Sequence, residues 1–142
     1  MKQITTTSEK QTFNFAKKFA KQLKGGEIIG LIGKLGAGKT IFTKGLAVGL
    51  GIKQTVNSPT FVLMKVYPIK YPKPDIRNLV HIDAYRIKTA QDLIAIGIHE
   101  YFNKPNTVTV IEWVDKIKRI LPKKTRYVKI QNKGGNKRII NY

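Results

Sequence analysis

The sequence predicts a three-layer α/β domain with a mixed central sheet, and three observations carry that prediction. A short apolar run at 27–33 (EIIGLIG) leads through a glycine-rich turn into a helical stretch. Further apolar runs of strand length recur at 78–83 and 107–111, and a hairpin signal lies at 133–136. Runs of this kind alternating with helical segments place helices over both faces of one sheet. The 142 residues suit a single domain spanning 1–142, and a chain of that size buries about 70% of its unfolded surface, enough for one core.

Taken in order, Ser8 followed by Gln11 reads as a capping box, with Ser8 accepting from a free amide and Gln11 reaching back. Phe15, Ala16, Phe19, Ala20 and Leu23 follow at helical spacing until Gly25-Gly26. The run 27–33 is too short for a helix and reads as a buried strand; residues 39–50 then form a helix ended by Gly49 and Gly51. Ser58-Pro59-Thr60 marks a turn before a strand at 61–67, and the three prolines of 68–75 predict a surface loop. Residues 78–83 and 107–111 read as strands, each ending at a carboxylate, Asp83 and Glu112. Between them 90–96 is helical until Gly97 breaks it, and 114–121 is a short helix stopped by Pro122. Residues 126–130 and 137–141 flank the turn Lys133-Gly134-Gly135-Asn136 as a hairpin.

Composition excludes several classes. The chain has no cysteine, so neither a disulfide framework nor a thiolate metal site is available. No apolar run nears the roughly 18 residues of a membrane span, and the N-terminus shows no signal-peptide core. A cytoplasmic protein with no membrane partner is expected. The net charge of +19 has two readings, because 22 of the 27 basic residues are lysines spread along the whole chain. One is compositional bias; the other is a charge suited to an acidic partner or RNA.

The chemistry concentrates at Gly33-Lys34-Leu35-Gly36-Ala37-Gly38-Lys39-Thr40, a full match to G-x-x-x-x-G-K-[ST] between a strand and a helix. In such a loop the glycines let successive amides turn inward onto phosphate oxygens. Lys39 then reaches the β- and γ-phosphates, and the Thr40 hydroxyl ligates Mg²⁺. Gly33, Leu35, Gly36, Ala37, Gly38, Lys39, Thr40 and Ile41 are therefore the expected nucleotide-binding residues. Guanine-specific relatives of this loop carry Asn-Lys-x-Asp. Asn103-Lys104-Pro105-Asn106 and Asn132-Lys133-Gly134-Gly135 both lack the aspartate, so ATP with Mg²⁺ is the expected ligand.

Ligands of open α/β sheets sit at the carboxyl ends of strands, which places Asp83 and Glu112 beside the loop as the catalytic carboxylates. One is expected in the Mg²⁺ shell, with Thr40 and Glu112 as the metal residues, and the other positions water. The competing reading has each capping the turn that follows. His81 shares a strand face with Asp83 and reads as a hydrogen-bonded orienter rather than a metal ligand. Trp113 walls the site, faces a partner, or packs in the core. Ser58 and Thr60 lie in a switch-like loop, and Arg86 is the one arginine close enough to Asp83 to approach a phosphoryl group.

The segments GKLGAGKT (33–40), VNSPTF (56–61), HIDAYR (81–86) and IEW (111–113) together resemble, in order and spacing, the TsaE (YjeE) family of bacterial ATPases, over nearly the whole chain from Thr6. The resemblance implies a P-loop NTPase-like domain binding ATP and Mg²⁺. It further implies docking on the TsaB–TsaD heterodimer, which makes threonylcarbamoyladenosine at A37 of tRNAs reading ANN codons, so that tRNA is met only through that complex. In that role Asp83 and Glu112 are the family's acidic pair, and ATP hydrolysis, weak in the isolated protein, supports turnover. Two positions depart from the family pattern: Lys34 stands where Asp is usual, and Ile41 where a second Thr is usual. Two other readings remain at this stage, a small-molecule kinase and a basic RNA-binding protein with structural ATP. The five arginines, unclustered and without an evident lid insertion, do not suggest the first.

Overall fold

In the computed structural model, residues 1–59, 62–70 and 75–142 are described. Seven strands form one mixed sheet in the order β1-β7-β6-β2-β5-β4-β3. They are β1 (Gln3–Thr6), β2 (Ile28–Ile32), β3 (Met64–Pro68), β4 (Asn78–Asp83), β5 (Thr107–Glu112), β6 (Arg126–Asn132) and β7 (Arg138–Asn141). The four central strands β6, β2, β5 and β4 run parallel, and antiparallel strands close both edges.

Two apolar clusters sit on opposite faces. One joins α1 (Glu9–Ala20) and α2 (Lys39–Gly49) to Ile29, Leu31, Leu79, Val108 and Val110. The other joins α3 (Ala90–Ala95), α4 (Ile98–Phe102) and a 3₁₀ helix at Val114–Ile120 to Ile28, Val80, Ile82 and Ile111. Strand side chains alternate faces, which is why Ile28 and Ile29 enter different clusters. The predicted three layers and mixed sheet are both present.

The differences from expectation are local. Strand β1 was not foreseen, because four polar or isolated apolar residues lack alternation; it is held by pairing with β7 at Gln3↔Asn141 through Thr6↔Arg138. Ser8 does accept from the Gln11 amide at 3.1 Å, but Gln11 Oε1 accepts from the Thr7 amide at 2.8 Å, one residue before the cap. Helix α1 ends at Ala20, short of Gly25-Gly26. Gly49 is the last helical residue of α2. The stop itself is a Schellman motif, with the Ile52 amide bonding the Ala47 carbonyl and the Gly51 amide the Val48 carbonyl, both at 3.0 Å.

Strand β3 begins at Met64 rather than 61 and takes in Pro68, whose missing N–H is tolerated on an edge strand. Residues 60–61 and 71–74, which carry the expected Thr60 and most of the proline loop, lie outside the described residues. Gly97 starts a further helix, α4, as well as ending α3. The expected short helix after Trp113 is present as a 3₁₀ helix, with a kink at Ile117.

Candidate functional site

Strand parity assembles the site. In β4 and β5, Asp83↔Glu112, His81↔Val110 and Leu79↔Val108 are register partners. Leu79, Val108 and Val110 belong to the cluster under α1 and α2, so His81, Asp83 and Glu112 point to that face too. There β2 delivers the phosphate loop, and α2 begins at its end. The result is a cleft of about 430 Å³ walled by Leu35, Gly36, Gly38, Lys39, Thr40, Ile41, Ser58, Asp83, Arg86, Glu112 and Trp113 among others.

The loop backbone has the form a phosphate cradle needs. Gly36 and Gly38 take φ of 76° and 108°, a left-handed region that a side chain would strain. Among the described residues, nothing lies within 4 Å of where a Gly36 Cβ would sit. Leu35 at the tip is 77% exposed, whereas Ala37 is buried against the core.

Lys39 is buried, and its Nζ donates to the carbonyls of Gly33 at 2.6 Å and Lys34 at 2.9 Å. It also lies 3.7 Å from the centroid of the Trp113 ring, a cation–π contact. Burial pushes the Lys39 pKa below its usual value, while the charges of Glu112, Asp83 and Asp115 oppose that shift. Lys34 engages through its backbone carbonyl with its side chain exposed, so the family departure at this position leaves the contact intact. Ile41, the other departure, is partly buried in the cleft wall.

Glu112 is the best-held carboxylate. His81 Nε2–H donates to Oε1 at 2.9 Å, and the Thr40 hydroxyl donates to Oε2 at 3.0 Å. The Thr43 hydroxyl donates to the Lys39 carbonyl at 3.0 Å and stands 3.4 Å from Glu112 Oε1. His81 is fully buried, and its Nδ1 has no partner among the described residues. That arrangement fits the neutral Nε2–H tautomer, whose single donor is spent on orienting Glu112.

Asp83 is held differently. Its Oδ1 accepts from the Tyr85 amide at 2.9 Å, and Oδ2 accepts from the Ser58 hydroxyl. It therefore caps the following turn and also ties the Ser58 loop to the sheet.

Trp113 walls the cleft, half-buried, with φ of 59°. A left-handed backbone is costly for a bulky residue and concentrates at functional positions. Here it turns the ring over Lys39 and against Tyr85, 4.8 Å between centroids. Arg86 reaches the cleft wall.

Besides Tyr85, three residues that the sequence reading did not single out join the site. Thr43 sits one helical turn after Lys39, a spacing that would have flagged it. Glu9 and Arg138 line the far end of the same cleft. Arg138 is buried, and its Nε–H donates to the Ala37 carbonyl at 2.9 Å. No motif announces it, because the contact spans 101 residues and depends on β7 pairing.

The hydroxyl of Thr40 and the carboxylate of Glu112 are the oxygen ligands suited to a hard divalent cation. Among the described residues no group of three or more His, Cys, Asp or Glu gathers as a metal cage. A cation here would take only part of its shell from protein, the pattern of Mg²⁺ shared with phosphates.

Comparison with known proteins gives the chain its relatives. The family described as "Threonylcarbamoyl adenosine biosynthesis protein TsaE" matches residues 6–140. The Bacillus subtilis (strain 168) "tRNA threonylcarbamoyladenosine biosynthesis protein TsaE" is 38% identical over 144 residues, covering 100% of this chain and 86% of that protein. The protein of the same description from Treponema pallidum (strain Nichols) is 37% identical over 118 residues, covering 83% and 82%. A crystal structure of Bacillus subtilis YdiB superposes with a TM-score of 0.76 at 35% identity, covering 98% of this chain and 83% of that one. With the family matching residues 6–140, the relatives aligned over most of their length and the fold in agreement, the chain belongs to the TsaE family of tRNA threonylcarbamoyladenosine biosynthesis proteins.

Proposed function

We propose that this protein binds ATP with Mg²⁺ in the cleft and hydrolyses it to support threonylcarbamoyladenosine formation at A37 of tRNAs reading ANN codons, acting in the cytoplasm on the TsaB–TsaD complex. The observation that carries this reading is the meeting of Lys39, Thr40 and Glu112 at the phosphate loop of a TsaE-family chain.

In this reading the loop amides and the N-terminal end of α2 bind the phosphates, and Lys39 supplies a cation toward the β- and γ-phosphates. Thr40 and Glu112 hold Mg²⁺, which when bound would draw charge from the phosphate oxygens. His81 keeps Glu112 in one orientation. Asp83, fixed by Ser58 and the Tyr85 amide, has lone pairs left to position a water. Trp113 and Tyr85 limit solvent at the mouth. Slow hydrolysis by the isolated protein is expected, since Arg138 is committed to the Ala37 and Asn136 carbonyls rather than to a phosphoryl group.

The test is reconstitution with TsaB, TsaD, threonylcarbamoyl-adenylate and tRNA. Modification beyond a single turnover should depend on this protein and on ATP, and be lost with Lys39→Ala. Equal turnover without it would remove the proposal. Binding of RNA by the isolated chain, weakening steeply with salt, would favour the RNA-binding alternative.

A further inference from the structure

Arg138, at the first position of β7, packs its guanidinium against the Ala37–Gly38 turn of the phosphate loop and lines the same cleft. Its Nε–H donates to the Ala37 carbonyl at 2.9 Å, and Nη1 donates to the Asn136 carbonyl at 3.0 Å. Nη2 stands 3.8 Å from Glu9 Oε1 in the first turn of α1. The side chain is 4% exposed, so this is a buried, bonded cation rather than a surface one. A Cβ on Gly38 would come 2.8 Å from Arg138 Nε, so the glycine admits the guanidinium as well as the left-handed turn.

In a planar trans peptide the C=O and N–H point in opposite directions. Anchoring the Ala37 carbonyl on Arg138 therefore fixes the Gly38 N–H pointing away from it. We infer that Arg138 is a positioning residue of the phosphate loop: it locks the Ala37–Gly38 peptide so that the Gly38 amide is presented to an anionic phosphate before any ligand arrives. The inference deepens the ATP reading of the cleft and rests on it for the identity of the anion. A hydrogen bond from a charged donor is stronger than a neutral one, and pre-orienting a donor removes an ordering cost from binding.

The experiment uses the full chain and two readouts. The first is the Gly38 ¹H–¹⁵N resonance of the protein without nucleotide. The second is affinity for ATP, without Mg²⁺, by calorimetry. Arg138→Lys retains charge but places no N–H at the Nε position. It should displace the Gly38 resonance and weaken ATP about tenfold, the scale of one lost bond to a charged group, while the thermal midpoint stays within a few degrees. Arg138→Ala should weaken ATP further. Should Arg138→Ala fail to fold, Arg138→Lys decides alone. A wild-type Gly38 resonance or a wild-type ATP affinity in folded Arg138→Lys would overturn the inference. If the unmutated protein binds no ATP, the ATP reading falls, and the Gly38 resonance alone still judges whether Arg138 holds the peptide.

Discussion

Glu112 receives the bonds of both His81 and Thr40, so its replacement has to separate charge from support. Glu112→Ala would leave the buried His81 donor unpaired, at about 1–3 kcal/mol, and would confuse lost chemistry with lost stability. Glu112→Gln keeps the shape and an acceptor oxygen. It should lower Mg²⁺-dependent ATP hydrolysis by about a hundredfold or more, with ATP affinity in the absence of Mg²⁺ little changed. A steady-state assay beside calorimetry checks both. The single tryptophan offers a second test. Trp113 has Lys39 Nζ over its ring, and ATP that draws Lys39 toward phosphate should change its emission. Lys39→Ala should abolish that response, and an unchanged emission on saturation would contradict the placement. At this scale the loop residues Gly33 to Thr40 were legible because their spacing is local. The rest of the site was legible only in part: His81 shares strand parity with Asp83 and Thr43 lies one helical turn after Lys39, but Arg138 reaches the loop through β7 pairing that no local pattern encodes.

The elements are held by a close crossing of α1 and α2, made possible by two glycines one helical turn apart. A Cβ at Gly45 would press into the Phe13 carbonyl and come 2.9 Å from the Ala16 Cβ. One at Gly49 would come 2.5 Å from the Lys17 carbonyl. Gly45→Ala gains up to about 1 kcal/mol of helix propensity but loses roughly 1–3 kcal/mol to overpacking. A net loss is expected, and urea unfolding should show a lower midpoint at unchanged slope. A more stable Gly45→Ala protein would mean the helices are not in close contact. The sequence reads Gly49 and Gly51 as the stop of α2; Gly51 makes the stop, whereas Gly49 is still helical and serves the close contact with α1. Of the central strands, β2, β4 and β5 were legible from their apolar runs, and β6 from the hairpin turn it shares with β7. Strand β1 was not, since its pairing with β7 provides what its sequence lacks. The short helix after Trp113 was legible as a helix but not as 3₁₀: seven residues satisfy either period, and Val114 must seat against Gly30, where a Cβ would come within 2.7 Å of its methyl group.

For the whole molecule, the informative fact about charge is where the acids are. Only eight acidic residues oppose 27 basic ones, yet Glu9, Asp83 and Glu112 all line one cleft. Asp83 and Glu112 end adjacent strands side by side, whereas Glu9 stands beside Arg138. Among the described residues no helix is long and apolar enough to cross a membrane. The isolated protein should turn over ATP more slowly than about 1 s⁻¹, the low end of ordinary enzymes; faster turnover would show that its own residues complete the site. Before efficiency, however, comes occupancy. The most direct measurement is calorimetric titration of ATP into the protein with and without Mg²⁺, repeated with Lys39→Ala. The account predicts one site per chain, tighter with Mg²⁺, and at least about tenfold weaker in Lys39→Ala. No saturable binding by the unmutated chain at ~1 mM ATP, or equal binding by Lys39→Ala, would contradict it.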